Sequence, residues 1–108
     1  MAAIRIVEYL DAHGRSAYAK WFESLNAAAA AKAAAALYQL AAGNFSNVKG
    51  VGSGVLERKI DFGPGYRMYF AKERNTLVVL LGGSSNQRQQ DAIAAAKVRW
   101  SDYRRRKT

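Results

Sequence analysis

The order of apolar and polar residues predicts four β-strands. Residues 4–10 alternate between the two classes, as expected of a strand with one buried face. Residues 55–62 and 66–71 alternate in the same way and flank a Gly-Pro-Gly turn at 63–65, which predicts an antiparallel hairpin. Residues 76–81 are almost wholly apolar, which is typical of a central strand covered on both faces.

Apolar residues at helical spacing predict two helices after the first strand and one after the last. Ser16 and Asn26 precede the first two helices and belong to the residue types that cap helix N-termini. Residues 27–36 are alanine-rich and have high helix propensity, and Gly43 is expected to end that helix. The predicted apolar faces consist of Tyr18, Trp21, Phe22 and Leu25, then Leu37 and Leu40, and finally Ile93, Ala96, Trp100 and Tyr103.

Two glycine-rich segments separate these elements. Residues 49–54, Lys-Gly-Val-Gly-Ser-Gly, are interpreted as a flexible loop. A glycine-rich phosphate cradle is not expected here, because it would follow a strand and precede a helix, whereas this segment follows a predicted helix and precedes a predicted strand. The glycine pair 82–83 is expected to end the sheet, and one residue of 84–86 to cap the last helix. The predicted order is β-α-α-β-β-β-α, a single α+β domain over residues 1–108 with a mostly antiparallel sheet packed against the two N-terminal helices.

The charge of the chain is strongly positive and unevenly distributed. Its 108 residues include 17 Lys and Arg against 8 Asp and Glu, for a net charge of +9. Residues 1–48 contain four basic and three acidic residues (+1), whereas residues 49–108 contain thirteen and five (+8). A one-sided positive field favours a nucleic acid, an acidic protein or an anionic membrane as partner. The last residues, about 101–108, are predicted to form a basic tail.

Composition disfavours several classes of protein. The chain has no cysteine and one histidine, so a disulfide framework and a thiolate or histidine-rich metal site are not expected. His13 is therefore interpreted as a surface or structural residue. No apolar run approaches the roughly 20 residues that span a bilayer, and Arg5 and Glu8 interrupt the segment where a signal peptide would lie. We expect a cytoplasmic protein that needs no membrane, metal or cofactor.

The predicted hairpin carries a distinctive motif. Residues 57–70, Glu-Arg-Lys-Ile-Asp-Phe-Gly-Pro-Gly-Tyr-Arg-Met-Tyr-Phe, resemble the hallmark segment of the addiction module killer proteins. That group belongs to the RelE/ParE toxin superfamily and is close to the HigB-type toxins. Further similarity lies in Gly-Asn-Phe at 43–45, Leu-Leu-Gly-Gly at 80–83, Asp91 and Trp100. The resemblance implies a RelE/ParE-like fold over nearly the whole chain.

The resemblance also implies an activity and partners. Many members are ribosome-dependent endoribonucleases that cleave messenger RNA, and they are held inactive by an antitoxin, often a helix-turn-helix protein. The chain is therefore expected to be the toxin of a type II toxin–antitoxin system. Two alternatives stay open, because ParE-like members inhibit DNA gyrase without cutting RNA, and a catalytically weakened member would mainly bind its antitoxin. Ser84 and Ser85 stand where relatives carry Asp-Lys, which removes a basic residue and supports the last alternative.

Lys59 and Arg67 are the main catalytic candidates. They lie on the polar sides of facing strands, and the resemblance places both at basic positions of the motif. RNA cleavage by the neighbouring 2′-hydroxyl needs proton transfer and cations that stabilise the phosphorane charge. Arg67 is always protonated and therefore suits stabilisation of the phosphorane charge. Lys59 would suit proton transfer if neighbouring cations such as Arg58 lower its pKa toward neutrality. The structural alternative is a salt bridge from either residue to Glu57 or Asp61.

Other residues are candidates for supporting roles. Arg88, at the start of the last helix, is a third catalytic candidate, and Arg58 is expected to bind RNA although alternation places it on an apolar face. Tyr69 lies on the polar face of its strand and is expected to stack on a base, whereas Tyr66 is assigned to the core. Within the tail, phosphate attraction without sequence preference is expected of Arg104, Arg105 and Arg106.

Overall fold

A five-stranded mixed sheet forms the centre of the computed structural model, which describes residues 3–107. The strands are β1 (Arg5–Glu8), β2 (Val48–Gly52), β3 (Val55–Ile60), β4 (Tyr66–Glu73) and β5 (Leu77–Ser85), and the helices are α1 (Ala17–Glu23), α2 (Ala27–Ala41) and α3 (Gln89–Lys107). The strand order is β1-β5-β4-β3-β2, in which β1 and β5 are parallel and all other neighbours antiparallel. The chain is thus an α+β protein, as the hydrophobic pattern predicts.

The glycine-rich segment 49–54 is not a loop, so the sequence interpretation was wrong here. Most of it belongs to β2, which pairs with β3 as an edge strand. Residues 52–54 all have positive φ, and two of the three are glycines, for which this conformation is unstrained. The glycines therefore serve a tight turn between two strands, and the order becomes β-α-α-β-β-β-β-α.

The predicted N-terminal caps of α1 and α2 are confirmed. The side chain of Ser16 accepts the backbone N–H of Ala19 at 3.0 Å, and that of Asn26 accepts the N–H of Ala29 at 2.8 Å. The buried stripe of α2 is mostly alanine, so this helix lies close to the sheet; its members are Ala29, Ala33, Ala36 and Leu40.

The last helix starts and ends differently from the prediction. The sheet continues through the glycine pair 82–83 to Ser85, whose side chain makes no capping bond, and a 3₁₀ turn (Asn86–Arg88) leads into α3. α3 extends to Lys107, so the segment 101–107, which ends in four basic residues, forms the last turns of a helix rather than a separate tail. Residue 108 lies outside the described part of the chain.

Helices cover both faces of the sheet. α1 and α2 pack on one face around Met68 and Phe70, and α3 packs on the other around Leu81 and Trp100. The predicted packing against two N-terminal helices therefore accounts for one face, and α3 buries the second. Among residues 3–107, no helix has the length and apolar character needed to cross a membrane.

Candidate functional site

Three residues line up across neighbouring strands on the α3 face of the sheet. Lys59 of β3 is directly opposite Arg67 of β4, and Arg67 is directly opposite Ser84 of β5. Lys59 is exposed, the Arg67 side chain is 13% exposed, and Ser84 is buried. The structure thus brings together the two main catalytic candidates of the sequence analysis.

The carboxylate of Glu57 is buried beside this row. Its side chain has no exposed surface and forms an ion pair with Nη1 of Arg67. Its other oxygen accepts a hydrogen bond from Nε2 of Gln89 in α3 at 3.3 Å. The salt-bridge alternative therefore holds for Arg67, whereas Lys59 has no ion pair within residues 3–107.

Asn86 holds the Arg67 guanidinium from a second direction. Nε of Arg67 donates to Oδ1 of Asn86 at 2.9 Å, and Nδ2 of Asn86 donates to the carbonyl of Pro64 at 3.1 Å. Gly65 has a φ of 90°, and a Cβ there would lie 2.2 Å from Nδ2 of Asn86, so glycine is required for this approach. The Gly-Pro-Gly turn, Asn86 and Arg67 consequently form one connected unit.

A cleft of about 640 Å³ opens beside α2 at the sheet edge where β2 begins and β3 ends. Ala36 and Ile60 contribute apolar surface to it. Its charged lining residues are Lys32, Lys49, Glu57, Arg58, Lys59, Asp61 and Arg67. Five cations thus accompany two acids, and Glu57 is already paired with Arg67. We call this the Lys59 cleft; its charge favours an anionic ligand.

Arg58 reaches the Lys59 cleft from the α2 face of its strand, as the alternation predicts. Its Nη2 donates to Oε1 of Gln39 in α2 at 2.6 Å, and its Nη1 donates to the carbonyl of Lys59. The Nε atom is buried and has no hydrogen-bond partner among residues 3–107. Arg58 is therefore anchored to α2 while its side chain lines the same cleft as Lys59.

Arg88 lies in a different cleft, of about 620 Å³, between α1, the end of β5 and α3. The Arg88 side chain is exposed there, and the lining includes Trp21, Tyr66 and Arg99. Arg88 is not among the residues that line the Lys59 cleft. The structure therefore does not group the third catalytic candidate with the first two.

Tyr69 is fully buried in the core between the sheet and α3. Its hydroxyl lies 3.4 Å from Oγ of Ser84, and burial raises the pKa of its phenol above the ordinary value. The prediction that Tyr69 stacks on RNA bases is not compatible with this position, because the ring has no surface to offer. Tyr66, assigned to the core, is half-buried and packs against the core on the α2 face.

The basic residues at the end of α3 lie at the opposite end of the sheet from Lys59. Arg105 and Arg106 pair with Asp102, and Arg106 also donates to the carbonyl of Leu10. The hydroxyl of Tyr9 donates to Asp102 at 2.8 Å, and this bond is the main reason that the pKa of Asp102 lies below its ordinary value. The helix end is thus fastened to the body of the protein, away from the Lys59 cleft.

Glu57 and Asn86 are site residues that the sequence reasoning did not select. Glu57 could have been found from the strand pattern, because it lies two residues before Lys59 and therefore on the same face of the strand. Asn86 gives none, because its role depends on the 3₁₀ turn folding back onto the hairpin. His13 is exposed in a turn, and no group of three or more His, Cys, Asp or Glu side chains within residues 3–107 is placed to hold a metal.

This chain is clearly similar to a known protein. This relative is an uncharacterized protein of Haemophilus influenzae, 39% identical over 79 residues, which cover 72% of this chain and 80% of that protein. No family model matches the chain, and no solved structure matches it. The similarity therefore supplies a relative and no activity.

Proposed function

This chain belongs to one family with the Haemophilus influenzae protein, and we propose that it is the toxin of a type II toxin–antitoxin system that cleaves messenger RNA. The proposal includes membership in the RelE/ParE superfamily, within the addiction module killer group. Its sequence support is the resemblance of residues 57–70 and 80–83 to that group. The mixed sheet with helices on both faces is compatible with this assignment.

The observation that carries the proposal is the cross-strand pair of Lys59 and Arg67 at a cleft rich in cations. The exposed ammonium group of Lys59 and the guanidinium of Arg67 lie side by side and would attract the negative charge of a phosphodiester group. Arg58 and Lys32 add further positive charge to the lining of the same cleft. An RNA strand in this cleft would place a phosphate against both cations.

The proposed reaction uses the RNA's own 2′-hydroxyl as nucleophile. Its oxygen bonds to the adjacent phosphorus as the bond to the 5′-oxygen breaks, which gives a 2′,3′-cyclic phosphate and a 5′-hydroxyl end. The 2′-hydroxyl loses a proton and the leaving 5′-oxygen gains one. We assign donation of a proton to the leaving 5′-oxygen to the exposed ammonium group of Lys59, while solvent water accepts the proton of the 2′-hydroxyl. Stabilisation of the extra phosphorane charge is assigned to Arg67, fixed by Glu57 and Asn86. The nucleophile is internal to the substrate, so no metal or cofactor is included.

The partners of the proposed toxin follow from its class. An antitoxin, in many related pairs a helix-turn-helix protein, would hold it inactive, and the ribosome would present the messenger RNA. Cytoplasmic action is part of the proposal for the same reason. Arg88 would act outside the Lys59 cleft, on RNA that extends into the neighbouring cleft.

The test is induced expression of the chain and its variants, with growth recorded and new RNA 5′ ends mapped. We expect arrest and new ends with the wild type, and neither with Lys59→Ala/Arg67→Ala. Because loss of Arg67 leaves Glu57 unpaired, Lys59→Ala alone and Arg67→Lys are tested as well, and folding is checked by thermal melting. Arg15→Ala/Lys20→Ala, on an exposed surface outside the cleft, is the matched control.

Each outcome of this test has a distinct meaning. Arrest that persists in a folded Lys59→Ala/Arg67→Ala variant would contradict the site. Arrest without new RNA ends, accompanied by changed DNA supercoiling, would contradict RNA cleavage and indicate gyrase inhibition. Absence of any toxicity, together with tight binding to the product of a neighbouring gene, would indicate a chain that only binds its antitoxin.

A further inference from the structure

A second cationic cleft lies at the end of the sheet where β4 ends, β1 and β5 begin and α3 ends. It has a volume of about 590 Å³. Its charged lining residues are Arg5, Glu73, Arg74, Arg104 and Lys107, four cations and one acid. The rest of its lining is Ala3, Thr76 and Leu77. We call it the Arg74 cleft.

The cations of the Arg74 cleft are largely unneutralised. Glu73, the acidic residue in the lining, forms an ion pair with Lys107. Arg5 and Arg74 are exposed and have no ion pair within residues 3–107. Arg104 is exposed too, with its guanidinium 5.9 Å from the centre of the Trp100 ring. Three guanidinium groups therefore face solvent around one depression.

This cleft is separate from the Lys59 cleft. Arg67 lies near the start of β4 and Arg74 follows its last residue, seven positions further along the chain. At about 3.4 Å per residue in an antiparallel strand, their Cα atoms are about 24 Å apart. The two clefts share no lining residue. The two clefts would therefore bind different phosphate groups.

We propose that the Arg74 cleft binds phosphodiester groups of a nucleic-acid backbone and positions the protein on a folded nucleic acid. Phosphate contacts are made chiefly by exposed arginine and lysine side chains, whose charge fixes orientation without reading sequence. A protein partner would instead be anchored by buried aromatic side chains in pockets, with arginines beside them. Among residues 3–107, Leu77 is the only large apolar residue in the lining, and it is half-buried. The charge is therefore the feature that a ligand would recognise.

The test measures binding of a short fluorescent RNA duplex by anisotropy at several salt concentrations. Each cation that contacts a duplex phosphate contributes about 0.9 to the slope of log K against log salt. Arg5→Gln/Arg74→Gln is expected to reduce the magnitude of this slope by about 2. The matched control is Arg15→Gln/Lys20→Gln, which also removes two positive charges. Asp11 and Glu23 line the same surface as Arg15 and Lys20 and offset their charge, so this variant is expected to leave the slope nearly unchanged.

The other probes decide the chemistry of the ligand. An equal loss of affinity for a DNA duplex would support phosphodiester recognition and extend it to DNA. Equal slopes for the site variant and the control would overturn the proposal. So would a loss of affinity by the site variant for an acidic peptide alone, with duplex binding unchanged. Thermal melting checks the fold, which should be unaffected because both substituted side chains are exposed.

This inference can fail or succeed independently of RNA cleavage. A chain that produces no new RNA ends would contradict the proposed function, yet its duplex binding would still depend on Arg5 and Arg74. Conversely, a chain that cleaves RNA but binds duplexes equally well with and without these two residues would contradict only the inference. Lys59→Gln distinguishes the clefts, because it is expected to slow cleavage by about 100-fold or more and to leave the effect of Arg5→Gln/Arg74→Gln in place.

Discussion

Glu57 and Arg67 form an ion pair that joins β3 to β4 diagonally, with the carboxylate fully buried and the guanidinium nearly so. Arg67 therefore has two functions at once, because it neutralises a buried charge and lines the Lys59 cleft. Gln89 completes the surroundings of the carboxylate from α3. The position of Arg67, the proposed phosphate-binding cation, is thus set by the core. Substitutions should therefore separate residues that contribute to stability from residues that contribute to activity.

Loss of the buried carboxylate should destabilise the protein. Glu57→Gln is expected to lower the free energy of unfolding by about 3 kcal/mol, because it leaves Arg67 charged, mostly buried and unpaired. Urea denaturation measures the change. Glu73→Gln, which breaks the more exposed pair with Lys107, is the control and should cost less than about 1 kcal/mol. An equal loss of unfolding free energy in the two variants would contradict the claim that burial makes the Glu57–Arg67 pair more costly to break.

Loss of the exposed ammonium group should affect activity and not stability. Lys59→Gln is expected to change the free energy of unfolding by less than about 0.5 kcal/mol, because Lys59 is exposed and makes no ion pair in the described chain. The rate of RNA cleavage should fall by about 100-fold or more, as for other side chains that transfer a proton in the transition state. Lys20→Gln, exposed on α1, should leave both quantities unchanged. Full cleavage by Lys59→Gln would rule out the assigned role.

The contact between Gly83 and Trp21 leaves no room for a side chain. A Cβ on Gly83 would lie 2.2 Å from Cδ2 of the Trp21 ring. Gly83→Ala should therefore force α1 away from β5 and lower the free energy of unfolding by about 1–3 kcal/mol. Gly50→Ala is the control, because nothing lies within 4 Å of its added Cβ and its effect should stay below about 0.5 kcal/mol. Thermal and urea denaturation distinguish the two.

Tyr18 should make the protein sensitive to alkaline pH. Burial raises the pKa of Tyr18 to about 12 from 10.0, and the charge of Glu8 acts in the same direction. The folded state holds this proton more tightly than the unfolded state, so the stabilisation is complete below pH 10 and is lost as the pH rises from 10 through 12. Urea denaturation across this window, beside Tyr18→Phe, measures the contribution.

The same variant tests the unpaired hydroxyl of Tyr18. This buried oxygen has no hydrogen-bond partner among residues 3–107. Tyr18→Phe should therefore raise the free energy of unfolding at neutral pH by about 1 kcal/mol and weaken the alkaline dependence. A Tyr18→Phe variant that is less stable at neutral pH, with the alkaline dependence unchanged, would show that the hydroxyl is satisfied and titrates normally.

Asp102 should control the last turns of α3. The hydrogen bond from Tyr9, together with the charge of Arg106, lowers the pKa of Asp102. Its stabilising effect is therefore present above the ordinary carboxyl pKa of 3.8 and is lost as the pH falls below that value. Amide exchange in residues 101–107 should accelerate in that acid range, and in Asp102→Asn already at neutral pH. Asp91→Asn, in the first turn of α3, should not change it.

The hydrophobic pattern by itself determined most of the secondary structure. Period-two alternation identified β1, β3 and β4, the apolar run identified β5, and the caps at Ser16 and Asn26 were correct because capping is a local interaction. β2 was missed because glycine carries no side chain to alternate, and its pairing with β3 is a long-range choice. The pairing of Lys59 with Arg67 was predictable, since a hairpin with a short turn fixes its own register.

Only the tertiary structure decided which side chains the site contains. A bulge between Tyr69 and Phe70 on one strand, and 80–82 on the other, shifts the register so that Ser84 lies opposite Arg67. Packing of α3 on this face buries Tyr69 and Glu57, which alternation alone assigns to a polar surface. The sequence therefore placed the cations of the hairpin, because strand geometry is local. It could not assign their neighbours, because burial and register across the sheet depend on every element at once.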